Sequence, residues 1–250
     1  MGASQSSPTH VTHDYNITPP KRGLHVLRVA PYSPAAQTDL EPFFDFVVGL
    51  DAESNTEGDE VDDLADVVAK HEGRPLGLVI WSSKSRTVRL TQIIPSREWS
   101  SVAGAASTST NAPPLLGLTM RACNPSHSLE AVWHVLDVAD DSPAESAGLV
   151  PRGDWVVGWS GGPLAKEQDF YDVVESHEGK PLRIFIYSYD FDTLREVVVV
   201  PNRQWGGAGL LGCELGYGLL HRIPEAPSTL FSAKDLGDVE EDMYSSRSVC

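Results

Sequence analysis

The chain repeats itself. His25-Val26-Leu27-Arg28-Val29 returns as His134-Val135-Leu136-Asp137-Val138, Ser33-Pro34-Ala35 as Ser142-Pro143-Ala144, and Asp45-Phe46-Val47-Val48-Gly49 as Asp154-Trp155-Val156-Val157-Gly158. These three blocks share one offset, 109 residues (134 − 25). His71-Glu72-Gly73 returns as His177-Glu178-Gly179, and Pro95 with Trp99 as Pro201 with Trp205, at an offset of 106 (177 − 71). Collinear matches of this kind mean two copies of one small domain in tandem. Each copy has roughly a hundred residues, enough for its own core.

Composition narrows what such a pair can bind. The chain has 250 residues and a net charge of −16. Without a basic stripe nothing offsets phosphate repulsion, which argues against nucleic acid, and a polybasic membrane contact is disfavoured equally. No apolar run approaches the roughly 20 residues of a membrane span. Cys123, Cys213 and Cys250 form no even disulfide framework, which favours a reducing compartment. Met1-Gly2-Ala3-Ser4-Gln5-Ser6 fits the myristoylation pattern M-G-x-x-x-[ST], with Gly2 as acceptor. Short Gly/Ser sequences are also common at N-termini. A single myristoyl chain binds membranes only marginally, with K about 10⁴ M⁻¹, so a second anchor is needed. With only Lys21 and Arg22 nearby, that anchor is expected to be a protein.

The second copy reads clearly element by element. Trp133 to Val138 alternates and is β-prone. Ser142 to Leu149 gives a short helix, with Ser as cap, Pro in the first turn and Gly148 as stop. Asp154 to Trp159 is a second strand. Phe170, Val173 and Val174 define an amphipathic helix over Gln168–Glu178, with His177 near its C-terminus and Gly179 as stop. Leu182–Tyr187 and Glu196–Val200 form a strand pair. The Gly206–Gly209 loop and Leu210-Leu211-Gly212 lead into a last strand.

The motif S-P-A-x-x-A-G-L followed by G-D-x-V-V-G resembles the PDZ domain, well in the second copy and less well in the first, Ser33 to Leu40. The order is shifted: Leu115-Leu116-Gly117-Leu118 and Leu210-Leu211-Gly212-Cys213 close each copy, where a PDZ domain has its Gly-rich carboxylate loop before the S-P-A helix. The pattern is that of a circular permutation. Two permuted units behind Met-Gly resemble the GRASP family, the Golgi reassembly and stacking proteins. Glu41-Pro42-Phe43-Phe44-Asp45-Phe46, Trp205 to Gly212 and Gly216 to Pro224 carry that likeness further, over about residues 23 to 224.

The resemblance implies an α+β, mostly β fold of two tandem permuted PDZ-like domains, each a small partly open barrel with two helices. The expected layout is a flexible segment 1–22, domain one 23–124, domain two 125–224 and a disordered tail 225–250. It further implies a peripheral, lipid-anchored protein on the cytosolic Golgi face that self-associates and binds golgin-type coiled-coil proteins. Two departures stand out. A low-complexity insert, Val102 to Pro114, lengthens the Trp-to-Leu spacing of copy one and puts the mouth of its groove in question. And the family usually continues into a long Ser/Pro-rich tail, where this sequence has Glu225 to Cys250, as expected of either a natural short form or a fragment.

A PDZ groove takes a peptide as an added strand, while loop amides hold its terminal carboxylate or a turn that imitates one. In copy one the candidates are Leu115, Leu116, Gly117 and Leu118 with the helix face Leu64, Val67 and Val68, although apolar helix residues also serve the core. Tyr217, Leu219, Leu220 and Ile223 are candidates for an internal ligand that enters a neighbour's groove. His25 and Cys123 fall where the family carries a His and a Cys that can share zinc with a golgin. No intrinsic cofactor is implied. His134 occupies the twin position to His25 while Gly218 replaces the cysteine, so a structural role for the histidine stands beside the metal one. His71 and His177 read as helix C-terminal residues. An enzyme is not indicated: G-x-S-x-G, H-E-x-x-H and phosphate-loop motifs are missing, and the acidic pairs Asp62-Asp63 and Glu240-Glu241 look like solvated surface. A soluble double-PDZ adaptor that binds client C-termini is the alternative to a tether.

Overall fold

The structure, a computed structural model, describes residues 19–51, 64–99, 114–127 and 131–224. Gly2 and the N-terminal segment up to residue 18, Asp62-Asp63, residues 100–113 of the insert, Glu240-Glu241, Cys250 and the rest of the tail from Glu225 lie outside the described residues. Two five-stranded antiparallel sheets are present. The first contains β1 (Gly23–Val29), β2 (Asp45–Leu50), β3 (Leu76–Ser82), β4 (Thr87–Ile93) and β5 (Leu118–Cys123), in the order β4-β3-β2-β1-β5, with helix α1 (Leu64–Lys70). The second contains β6 (Trp133–Val138), β7 (Asp154–Trp159), β8 (Leu182–Ser188), β9 (Thr193–Val199) and β10 (Cys213–Tyr217), in the order β10-β6-β7-β8-β9, with helices α2 (Pro143–Ser146) and α3 (Glu167–Ser176). The last strand of each copy thus pairs with its first, as the permuted order requires.

The two copies share irregularities as well as strands. A register shift lies at Val47/Gly49 between β2 and β3, and at Val156/Gly158 between β7 and β8. Left-handed non-glycine residues also recur in pairs: Tyr32 with Asp141, Phe43 with Arg152, and Arg86 with Asp192.

The S-P-A helix expected in both copies forms in one of them among the described residues. The S-P-A segment forms α2 in the second copy, where Ser142 Oγ accepts from the Glu145 amide at 3.1 Å and Gly148 stops the turn at φ 75°. In the first copy only a 3-10 turn forms, Ala35–Gln37. Asp39 stands there in place of Gly148, and Thr38 is already extended. Further along, β9 begins at Thr193 rather than Glu196. The polar residues Thr193 and Arg195 still pair in register with Ser188 and Ile186.

Each domain is closed by a buried carboxylate. Asp45 and Asp154, the aspartates that open the repeated D-x-V-V-G strand, are fully buried at the start of β2 and β7. Arg89 of β4 grips Asp45 through two bonds of 3.0 and 2.6 Å, and Arg195 of β9 grips Asp154 in the same bidentate way. Each guanidinium also donates to the carbonyl ending the S-P-A turn, Asp39 O at 2.8 Å and Gly148 O at 3.0 Å. The carboxylates accept from Glu41 N and Val150 N, both at 2.7 Å. Outer strand, turn and inner strand are thereby tied at one point.

The domains meet through a third apolar cluster: Phe43, Phe44, Val132, Trp155, Val157 and Tyr187. Phe43 holds φ 66°, and its ring packs 4.7 Å from Phe185 and over Gly158, where a Cβ would overlap it. Lys84 bridges the joint, with Nζ 2.6 Å from Glu41 and 2.8 Å from Asp192. It lies over the rings of Phe44 and Tyr187, at 5.5 and 5.7 Å. Burial works against its charge, but the hydrogen bonds and charges of Asp192 and Glu41 outweigh burial, so its pKa is raised.

Breaking one arm of a buried pair leaves the other charge stranded, so Asp154→Ala is expected to destabilise domain two by about 3–5 kcal/mol. Denaturant titration of the full chain should show an early transition, reported by Trp133, Trp155 and Trp159, ahead of a later one from domain one.

Candidate functional site

The site is built from β5, the loop before it and α1. As an end strand, β5 offers one edge for pairing. Leu64, Val67 and Val68 project from α1 into the core of domain one, each no more than 6% exposed, where they meet buried Leu115 and Leu116. Leu118 and Met120 of β5 pack half-buried on the same core. The predicted residues are therefore core side chains beneath the candidate groove.

The loop has one-sided polarity. The carbonyls of Leu115, Leu116 and Gly117 all turn into the fold and accept from Ser96 N (2.9 Å), Ala35 N (3.1 Å) and Ala30 N (2.8 Å). The twin loop does the same: Leu210, Leu211 and Gly212 accept from Asn202 N, Ala144 N and Ala139 N at 2.8 to 2.9 Å. Among the described residues none accepts from the amides of Leu116 or Gly117. Successive amides turned away from the fold can bind a carboxylate or the carbonyl of a turn.

Trp99 locks this loop despite the insert. Its indole Nε1 donates to Pro114 O at 3.1 Å, just as Trp205 Nε1 donates to Gly209 O at 3.0 Å. In both copies the acceptor immediately precedes the Leu-Leu-Gly triplet. Each indole packs where a Cβ of the loop glycine, Gly117 or Gly212, would point. The insert thus leaves and rejoins the fold at two points joined by a hydrogen bond. The tryptophans were visible in the sequence as a repeat but carried no sign of this role.

The segment after β10 folds back on its own domain. The His221 ring lies on Gly216, and His221 O accepts from Trp155 Nε1 at 2.9 Å. Tyr217 packs on Trp133, 5.1 Å between centroids, and Ile223 joins the interdomain cluster. Between these fixed points a 3-10 turn, Leu219–His221, presents Leu219 and Leu220 at 71% and 91% exposure. The four candidate ligand residues are thus separated by the structure: two support the turn and two project from it.

His25 is buried at 6% exposure, stacked on Phe46 at 4.3 Å. Its Nε2 is 2.9 Å from Phe43 O and, as the donor, holds the carbonyl of that left-handed residue. His134 repeats this, stacked on Trp155 at 4.1 Å with Nε2 3.1 Å from Arg152 O. Burial lowers the His25 pKa, offset in part by the Phe43 bond, and raises that of Cys123, offset in part by the His25 amide and Arg121. Nε2 is thus engaged within the fold, and His25 and Cys123 supply two of the four ligands that a tetrahedral zinc takes. Among the described residues no three His, Cys, Asp or Glu gather as a metal site. His25 here is a latch. His71 and His177 cap their helices, Nδ1 lying 2.8 and 2.7 Å from Val67 O and Val173 O.

Gly117 sits at φ 71°, and a Cβ there would overlap Ser33. Gly117→Ala is therefore expected to cost more than about 1 kcal/mol and to displace the loop. Denaturant melts of domain one together with amide chemical shifts of residues 115–118 check this.

The chain matches the GRASP55/65 PDZ-like domain over residues 15–105 and again over 78–226. It is 41% identical over 208 residues to mouse Golgi reassembly-stacking protein 1, covering 83% of this chain and 43% of that protein. Human Golgi reassembly-stacking protein 1 gives 41% over 206 residues, 82% and 43%. The budding-yeast GRASP65 homolog protein 1 gives 32% over 209 residues, 75% and 55%. The match spans less than half the length of the mammalian relatives. No described helix is long and apolar enough to cross a membrane. With both copies matched and identity above 40% across most of its length, the chain belongs to the GRASP55/65 PDZ-like family.

Proposed function

We propose that the chain is a non-catalytic tether of the Golgi surface, which self-associates by seating the Leu219-Leu220 turn of one copy in the β5–α1 groove of another. The observation that carries this reading is the turn. Its two leucines are exposed, while His221, Tyr217 and Ile223 fix it on both sides. A ligand held in shape loses little entropy on binding. The groove supplies the complement: among the described residues, an unpaired edge of β5, amides of Leu116 and Gly117 without a partner, and half-buried Leu118 and Met120. Groove and turn sit on different domains, so the contact is heterologous and propagates from copy to copy. Weak contacts between two anchored surfaces add through effective concentration.

The family relationship supports the setting. Relatives are named for Golgi reassembly and stacking, and Gly2 is the acceptor for a lipid anchor on the cytosolic face. A golgin-type coiled-coil partner supplies the second anchor that one myristoyl chain requires. The soluble double-PDZ adaptor predicts instead that the N-terminus carries no lipid and that only client C-termini enter the groove.

Leu220→Asp alters a 91%-exposed side chain and leaves the fold intact. It is expected to abolish self-association in sedimentation velocity runs, as is Leu118→Asp in the groove. An equimolar mixture should regain association in part, since one variant keeps a sound groove and the other a sound turn. Unchanged oligomers in both single variants would place the interface elsewhere. Gly2→Ala should move the protein from Golgi membranes to the cytosol in imaging of the full chain, because a partner alone does not hold it. Retention on membranes would remove the lipid from the mechanism.

A further inference from the structure

Between the domains lies a cleft of about 250 Å³ that the groove-and-turn contact does not use. Its walls come from both copies: Phe43, Phe44, Val132, Val157, Leu164 and Ile223. No carboxylate lines it, although the chain has 35 Asp and Glu. The charged group at its lip is Arg121. An apolar, concave, acid-free site in so acidic a protein suits an uncharged hydrocarbon occupant.

The position of the N-terminal segment indicates which one. Lys21, Arg22 and Gly23 share a surface hollow with Ala122, Cys123 and Asn124, and these last three also line the cleft. The chain therefore enters β1 beside the mouth of the cleft. Gly2 is 17 residues before Pro19, a reach of up to about 60 Å when extended. That reach covers the cleft and equally a membrane outside it. Tethered so closely, the end of the segment has a local concentration of about millimolar order.

We propose that the interdomain cleft is a seat for the protein's own N-terminal acyl chain, rival to the membrane. This rests on the reading of Gly2 as a lipidated residue. In the soluble protein the acyl chain lies between the domains. A partner that docks at this face displaces it and so couples membrane insertion to partner binding. The requirement for two anchors then has a physical basis beyond the marginal affinity of one lipid: the second anchor releases the first.

The test uses full-length chain prepared with and without the acyl group by co-expression with an N-myristoyltransferase, the product verified by mass. Acylation in native cells is read separately, so a missing lipid there would defeat the anchor reading and leave this measurement standing. Hydrogen exchange of the two soluble forms is compared. The acylated form should exchange more slowly at residues 118–124 and 155–158. Ala165→Trp and, independently, Ala122→Trp place an indole at exposed positions of the cleft and should remove that protection. If the tail is hidden nine-tenths of the time, the same variants should bind phosphatidylcholine vesicles about tenfold more tightly than the acylated parent. Identical exchange with and without the lipid, protection confined to the β5–α1 groove, or unchanged vesicle binding in both variants would overturn the proposal.

Discussion

A buried carboxylate held by an arginine is the constraint on which each domain depends. Asp45 and Asp154 satisfy a turn amide and a guanidinium at once, while the guanidinium reaches a third segment. Outer strands β4 and β9 have a partner on one side alone, and this pair pins them from the other direction. An apolar pair of equal volume could supply comparable stability. It would not fix the register between strand, turn and strand, because hydrophobic contact has no direction.

Duplication gave two such units, and a few substitutions made them interlock. The left-handed residue before the second strand is Phe43 in one copy and Arg152 in the other. The same histidine latch supports both carbonyls. Only the phenylalanine is used across the joint, where it fills the space that Gly158 leaves open. Lys84 adds an ionic clasp to carboxylates of both domains. The exposed leucine turn belongs to the second unit alone among the described residues, so the two copies are alike in frame and different in surface.

Much of this was legible in the residues. Repeated blocks, the S-P-A motif and the shifted Leu-Leu-Gly gave the architecture, because turn chemistry and strand patterning are local. The missing helix of copy one was readable too, in Asp39 where Gly148 stops its counterpart. What local pattern could not give was how side chains meet across the chain. Ile223 looked like a free ligand residue yet sits in the junction, since the fold-back at His221 depends on Gly216 being bare. His25 reads both as a candidate metal ligand and as a structural residue. Its twin His134, present without a cysteine, was the available sign that the strand itself needs an imidazole. The polar start of β9 is hidden from strand patterning because Arg195 serves a contact 41 positions away in sequence rather than its own strand's alternation.

The hydrogen bond from Trp99 to Pro114 has an evolutionary corollary. It makes the segment between them a closed excursion whose length hardly registers in the rest of the domain. Each doubling of such a loop costs only about 0.6 kcal/mol in closure entropy. Sequence can accumulate there almost neutrally, beside the Leu115-Leu116-Gly117 loop of the candidate groove. Lineages of this fold can therefore vary the approach to the groove without refolding it, and an epitope or reporter spliced into the same excursion should leave both domains as they are.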